Sequence, residues 1–142
     1  MTDHVETMTG RCRCGALSFF APVTRVYGAC HCQSCRRWTS GIWMGVEAKG
    51  QVRFDGPLQV EPSSIKAERG WCRTCGSPIL YRLRATRHTF LSQGAFDDQT
   101  GWARVRDIYV EDQPDHYAFG GAAPRLTGWA TFWAAMSGRL PR

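Results

Sequence analysis

Three short stretches decide how this chain is read: Gly10-Arg11-Cys12-Arg13-Cys14-Gly15, Cys30-His31-Cys32-Gln33-Ser34-Cys35-Arg36, and Trp71-Cys72-Arg73-Thr74-Cys75-Gly76-Ser77-Pro78. They hold all seven cysteines of the chain. An odd number of cysteines, packed into tight clusters, argues against a disulfide framework. It suits metal sites, where several sulfurs must converge on one point. A Cys-x-Cys pair in extended backbone puts both side chains on one face. A Cys-x-x-Cys turn folds its two sulfurs together. Cys12, Cys14, Cys72 and Cys75 can therefore close a four-sulfur site of the tetrahedral kind that zinc prefers in structural roles. Cys30, Cys32 and Cys35 remain, and three ligands with one position left open is the pattern of a catalytic zinc.

Other completions of the middle cluster stay open on spacing alone. His31 could supply a fourth ligand and make a second closed site, although a residue between two chelating cysteines points the other way in extended chain. Cys32-x-x-Cys35 could be a redox dithiol. Spacing also does not separate zinc from iron or from sites holding different metals.

Around the clusters the chain reads as mainly β. Residues 17–20, 27–30, 41–46, 52–54 and 58–61 carry strand composition, and Asp55-Gly56-Pro57 marks a turn. Residues 79–83 and 89–92 pair as a hairpin, and 106–110 is a further strand candidate. Gln33 to Thr39 suits one or two helical turns. Trp129, Phe132, Trp133, Met136 and Leu140 recur at helical spacing. The expected organisation is a tail over 1–9, a zinc-binding domain over 10–120, and a helical C-terminal extension over 121–142 docked on the domain or on a partner.

The chain has 142 residues, 43% hydrophobic and 21% charged, which suits a single globular domain. No apolar run approaches membrane-spanning length, and the polar start lacks signal-peptide character. A cytoplasmic protein is expected, with no membrane partner. The formal charge is +6, and 16 of the 18 basic residues are arginine. They are scattered without a basic run, which disfavours nucleic acid as a partner.

Together the three cysteine stretches resemble the glutathione-dependent formaldehyde-activating enzyme family, which includes centromere protein V. Gly94-Ala95-Phe96-Asp97-Asp98 and Ile108-Tyr109-Val110-Glu111-Asp112-Gln113-Pro114-Asp115 extend the resemblance to roughly residues 9–117. It implies a β-tent zinc-binding fold of small antiparallel sheets and two zinc ions per chain. Cys12, Cys14, Cys72 and Cys75 match the structural ligands, and Cys30, Cys32 and Cys35 match the catalytic ones. The implied activity is that of a carbon–sulfur lyase acting on a thiol–aldehyde adduct, with glutathione and formaldehyde as the model pair. Trp71 stands where the family usually has Phe, Asp107 where many members have His, and His116 where Trp is common.

Glutathione carries carboxylates, so Arg36 and Arg37 beside Cys35 are candidate substrate-binding residues. His31 is a candidate proton shuttle or a structural hydrogen-bonder. His88, Gln93 and Asp97 are further pocket candidates. The alternative of a different class is a zinc-stabilised binding module for nucleic acid or protein.

Overall fold

Ser18-Phe19-Phe20-Ala21-Pro22-Val23 alternates inward and outward residues, and that alternation makes it strand β2 (Ser18–Val23). Phe19, Ala21 and Val23 are fully buried, while Phe20 faces out beneath the Arg53 guanidinium, 4.9 Å from its ring centroid. The computed structural model describes residues 4–141. Its chain divides into two units: residues up to Arg25 together with Gly45–Trp102, and Val26–Met44 together with the segment from Ala103 onward.

In the first unit β1 (Glu6–Arg11) pairs antiparallel with β2, and β2 with β5 (Arg53–Asp55). Further antiparallel ladders join residues 45–47 of β4 (Trp43–Glu47) to β9 (Thr89–Ser92), β9 to β8 (Pro78–Leu83), β8 to β7 (Ala67–Cys72), and β7 to β6 (Leu58–Pro62). The core holds Met8, Leu17, Phe19, Val46, Ile79, Leu80, Leu91 and Phe96. Phe96 meets Phe19 edge to face at 5.2 Å between centroids.

The expected tail over 1–9 is corrected at its inner end, because residues 6–9 already belong to β1. Met1–Asp3 lie outside the described residues. The signal for β1 was a short alternation: Met8 and Gly10 are buried, and Thr7, Thr9 and Arg11 are exposed. Strand β7 carries little periodic signal in the sequence. Its inward residues are Ala67, Gly70 and Cys72, too small to write an apolar pattern.

The second unit holds β3 (Val26–Cys30), α1 (Gln33–Thr39), β10 (Ala103–Ile108), β11 (Arg125–Leu126) and α2 (Gly128–Met136). Here β10 pairs parallel with β3 and with β11, unlike the antiparallel pairing implied by the resemblance. Parallel neighbours need a long connection, and β3 and β10 are separated by most of the first unit. The register slips by one residue between Arg104 and Arg106. The expected strand at 106–110 ends at Ile108, because Tyr109 turns left-handed at φ 55° and Val110–Asp112 forms a 3₁₀ turn. The C-terminal segment is tied down: Arg106 Nη1 donates to the Pro141 carbonyl at 2.8 Å. Among the described residues no helix is long and apolar enough to cross a membrane.

Two expectations follow for the first unit. A Cβ at Gly10 would lie 2.2 Å from the Phe19 ring and 2.6 Å from the Ala95 carbonyl oxygen. Gly10→Ala is expected to destabilise by about 1–3 kcal/mol in chemical denaturation. Asp97 accepts from Arg11 Nε at 2.9 Å and from Thr9 Oγ1 at 2.8 Å. The Arg11 hydrogen bond first, then that of Thr9, hold its carboxyl below the usual range. This contribution is complete above the ordinary carboxylate value of about 4 and fades as pH falls through the lowered one. Asp97→Asn is expected to lower the melting midpoint at neutral pH and to flatten its acid limb.

Candidate metal centres

The first centre is built by two glycine-terminated turns of the first unit. Cys12 follows β1, and the Gly15 N–H donates to the Cys12 carbonyl at 3.1 Å. Cys72 ends β7, and the Gly76 N–H donates to the Cys72 carbonyl at 2.7 Å. Gly15 and Gly76 have φ of 81° and 79°, a conformation that costs glycine little, and each directly follows the second cysteine of its pair. The Arg13 N–H bonds Ser77 Oγ at 3.0 Å and links the two turns.

The four sulfurs all lie within 4.8 Å of one another. Cys12 and Cys14 Sγ are 3.5 Å apart, and Cys14 and Cys72 Sγ are 4.0 Å apart. Four sulfurs around one zinc, each at ~2.3 Å, stand about 3.8 Å apart. The donor set therefore fits the ion.

Its proton chemistry points the same way. The Ser77 hydroxyl, then the Ser77 N–H, pull the Cys75 thiol down to about 5. Burial opposes ionisation of Cys12, but the Leu17 N–H, 3.3 Å from its sulfur, and nearby sulfurs outweigh it and bring it down. Cys14 moves up to about 11: the Ala16 N–H favours its thiolate, but burial and the other three sulfurs prevail. Such a cluster resists full ionisation until a cation joins it.

The second centre lies within the second unit. Cys30 ends β3, Cys32 is the N-cap of α1, and Cys35 sits in the first turn of α1. The Cys35 N–H donates to Cys32 Sγ at 3.2 Å, so the cap itself brings two sulfurs together. All three sulfurs lie within 4.8 Å of one another. The Cys32 and Cys35 sulfurs first, then burial, push the Cys30 thiol far above its ordinary range. Three thiolates here also need a cation. Burial, then the charges of these cysteines, raise the Tyr109 phenol and keep it protonated.

His31 turns away from this centre. It is fully buried, and its Nε2–H donates to Asp107 Oδ1 at 2.9 Å. Arg104 Nη1 bonds the other oxygen of Asp107, and Arg125 Nη1 lies 3.8 Å from it. The ring lies against Tyr117 and Phe119. His31 is thus a structural hydrogen-bonder rather than a shuttle at the surface. Asp107, noted in the sequence only as a departure from the family, is its partner. A carboxylate this deep is retained because it is paired and hydrogen-bonded.

Arg36 and Arg37 diverge. Arg37 is exposed, whereas Arg36 is half-buried on α1. Arg36 Nε is buried without a hydrogen-bond partner. Gln93 and Asp97 spend their polar atoms inside the first unit, on Gln99 and on Thr9 and Arg11. His88 is exposed between β8 and β9. Much of the arginine surplus is taken up by ion pairs: Arg11 with Asp97, Arg25 with Glu6 and Asp98, Arg82 and Arg87 with Glu68, and Arg104 and Arg125 with Asp107.

A mainly β chain with a four-cysteine and a three-cysteine cluster defines a class of protein with two cysteine clusters that could each hold a metal ion. The model of the glutathione-dependent formaldehyde-activating enzyme family matches residues 7–112, and the chain belongs to that family. It is 25% identical over 122 residues to an uncharacterized lyase of Schizosaccharomyces pombe, covering 83% of this chain and 89% of the relative. A crystal structure of a Rhodobacter sphaeroides protein has the same fold: TM-score 0.53, 18% identity, 83% of this chain and 99% of that chain covered.

The two centres differ in what losing a ligand should do. Cys72→Ala removes a ligand from a site joining distant parts of the first unit, and it is expected to unfold or aggregate the protein. Cys32→Ala is expected to stay folded and to retain about one zinc ion in place of about two. Elemental analysis and thermal melts of the two variants check this.

Proposed function

We propose that this protein is a zinc-dependent carbon–sulfur lyase that joins and separates a thiol and an aldehyde, with glutathione and formaldehyde as the first pair. The observation that carries this reading is the convergence of Cys30, Cys32 and Cys35, three sulfurs with no fourth cysteine, apart from the four-sulfur cluster. Family membership and the lyase-named relative support it.

Cys30, Cys32 and Cys35 would hold the catalytic zinc, and Cys12, Cys14, Cys72 and Cys75 the structural one. A zinc bound by three thiolates supplies an open position and a positive charge that lower the pKa of an incoming thiol. The chain's own share is orientation. The strand end at Cys30 and the cap at Cys32 fix where the three sulfurs converge. The buried His31–Asp107 pair holds the backbone between Cys30 and Cys32 rigid, helped by the His31 N–H, which donates to the Ile108 carbonyl at 3.0 Å. Arg36, with its buried and unpartnered Nε, would receive a substrate carboxylate. Arg37, solvent-exposed, would steer the anion at longer range.

In the joining direction a sulfur electron pair forms the C–S bond and the carbonyl π pair moves to oxygen. The thiol proton ends on that oxygen, giving the S-hydroxymethyl adduct. Separation is the reverse, and neither direction needs an oxidant or a reductant.

Exchange NMR at equilibrium tests this, because the uncatalysed reaction makes end-point assays misleading. The protein should accelerate exchange beyond both Cys32→Ala and free zinc at equal concentration. Arg36→Gln should raise KM about tenfold to a hundredfold, the effect of one lost charge-assisted contact, and change kcat less. Equal rates for wild type and both controls, with glutathione, cysteine and a bulky thiol in turn, would exclude the lyase reading.

A further inference from the structure

Helix α2 presents its large apolar side chains to solvent and its small ones to the fold. Trp129, Phe132, Trp133 and Met136 stand at i, i+3, i+4 and i+7, so they share one face. They are 71%, 38%, 54% and 71% exposed. On the opposite side Thr131 is buried, and Gly128, Ala130 and Ala134 are half-buried. The seating is specific. Gly128 N–H donates to Glu111 Oε1 at 2.7 Å, and a Cβ at Gly128 would lie 2.7 Å from the Tyr109 ring. The Thr127 hydroxyl accepts from the Ala130 N–H at 3.1 Å and caps the helix. The outward stripe is therefore not a helix waiting to roll over, because a side chain at its inner edge would strike Tyr109.

The exposed rings pack on one another. Trp133 meets Trp129 and Phe132 edge to face, each at 5.6 Å between centroids. With typical aromatic side-chain areas, the stripe leaves on the order of 500 Å² of apolar surface in water. One side of a standard interface buries about 800 Å², of which roughly 65% is apolar at a homodimer contact. The stripe has the size of such a core.

We propose that a second copy of this chain covers the stripe, with the two α2 helices packed antiparallel about a two-fold axis. Charge favours this occupant and this direction. Glu111 lies exposed at the N-terminal end of α2, and Arg139 lies exposed just past its C-terminal end. An antiparallel pair sets each Arg139 against the partner's Glu111, and does so twice by symmetry. A parallel pair would set like charges together. Residues 116–142 contain no Asp or Glu, and Glu111 is the acid hydrogen-bonded to the start of the helix. It would face an anionic bilayer unfavourably. The mutually packed rings leave no slot between them for a nucleic-acid base.

Sedimentation velocity on the zinc-loaded full chain, over a hundredfold loading range, tests the proposal. A dimer is expected. Trp129→Ser with Trp133→Ser should weaken it about a hundredfold or more, with zinc content and circular dichroism unchanged, since both side chains are exposed on the monomer. Trp133→Ser alone gives a milder second reading. Arg139→Glu should weaken the dimer about tenfold, and adding Glu111→Lys should restore it. A wild type that stays monomeric throughout, whether or not it sediments with anionic vesicles, would overturn the proposal. So would a dimer indifferent to the tryptophan changes. Failure of Glu111→Lys to restore the Arg139→Glu dimer would overturn the antiparallel arrangement.

Discussion

Four sulfurs held within 4.8 Å of one another are the constraint on which the first unit depends. Two of them belong to the turn after β1 and two to the turn after β7, with Cys14 and Cys72 separated by 58 positions. Closing a loop of that length costs entropy that grows only slowly with its length. The larger cost is electrostatic. Thiolates at these distances repel, and neutral thiols provide only weak donors and acceptors. Cys14, opposed by burial and by the other three sulfurs, moves up to about 11, while the Ser77 hydroxyl and N–H bring Cys75 down to about 5. A divalent ion held by the four sulfurs would remove the conflict and make the closure favourable, coupling metal binding to folding.

The second unit solves a different problem. Its three sulfurs sit on one strand end and one helix start, close in sequence, and need no long closure. They need rigidity instead, because a three-sulfur cluster has one sulfur fewer to define its geometry. Packing supplies it. His31, between two of the cysteines, is anchored to Asp107, and Asp107 is clamped by Arg104. The Asp107 N–H in turn donates to the Pro124 carbonyl at 2.8 Å, which draws the C-terminal segment into the same network. The division between a four-cysteine and a three-cysteine cluster thus has a counterpart in how each is supported.

Much of this was legible in the sequence, for stated physical reasons. The cysteine spacing pointed to both clusters, because chelation demands local geometry that sequence distance already encodes. Large inward residues such as Phe19, Leu80 and Leu91 marked their strands through alternation. Strand β7 escaped because Ala67, Gly70 and Cys72 fill its inner face, and periodicity is invisible without bulk. The parallel pairing of β10 with β3 escaped because nothing local in either strand encodes a partner so far away in sequence. Asp107 was noticed only as a departure from the family. Its role depends on a cross-strand neighbour, Ala29 of β3, that places it beside His31. The outward stripe of α2 was legible as a stripe, but periodicity does not tell which way a helix faces.

The open coordination of the second centre is the claim on which the functional reading rests. Zinc K-edge X-ray absorption on the purified protein, free of added thiols, tests it most directly. A first shell averaging between three and four sulfurs per zinc, with a lighter oxygen or nitrogen scatterer at about 2.0 Å, is expected. Four sulfurs around every zinc, with no lighter neighbour, would contradict it.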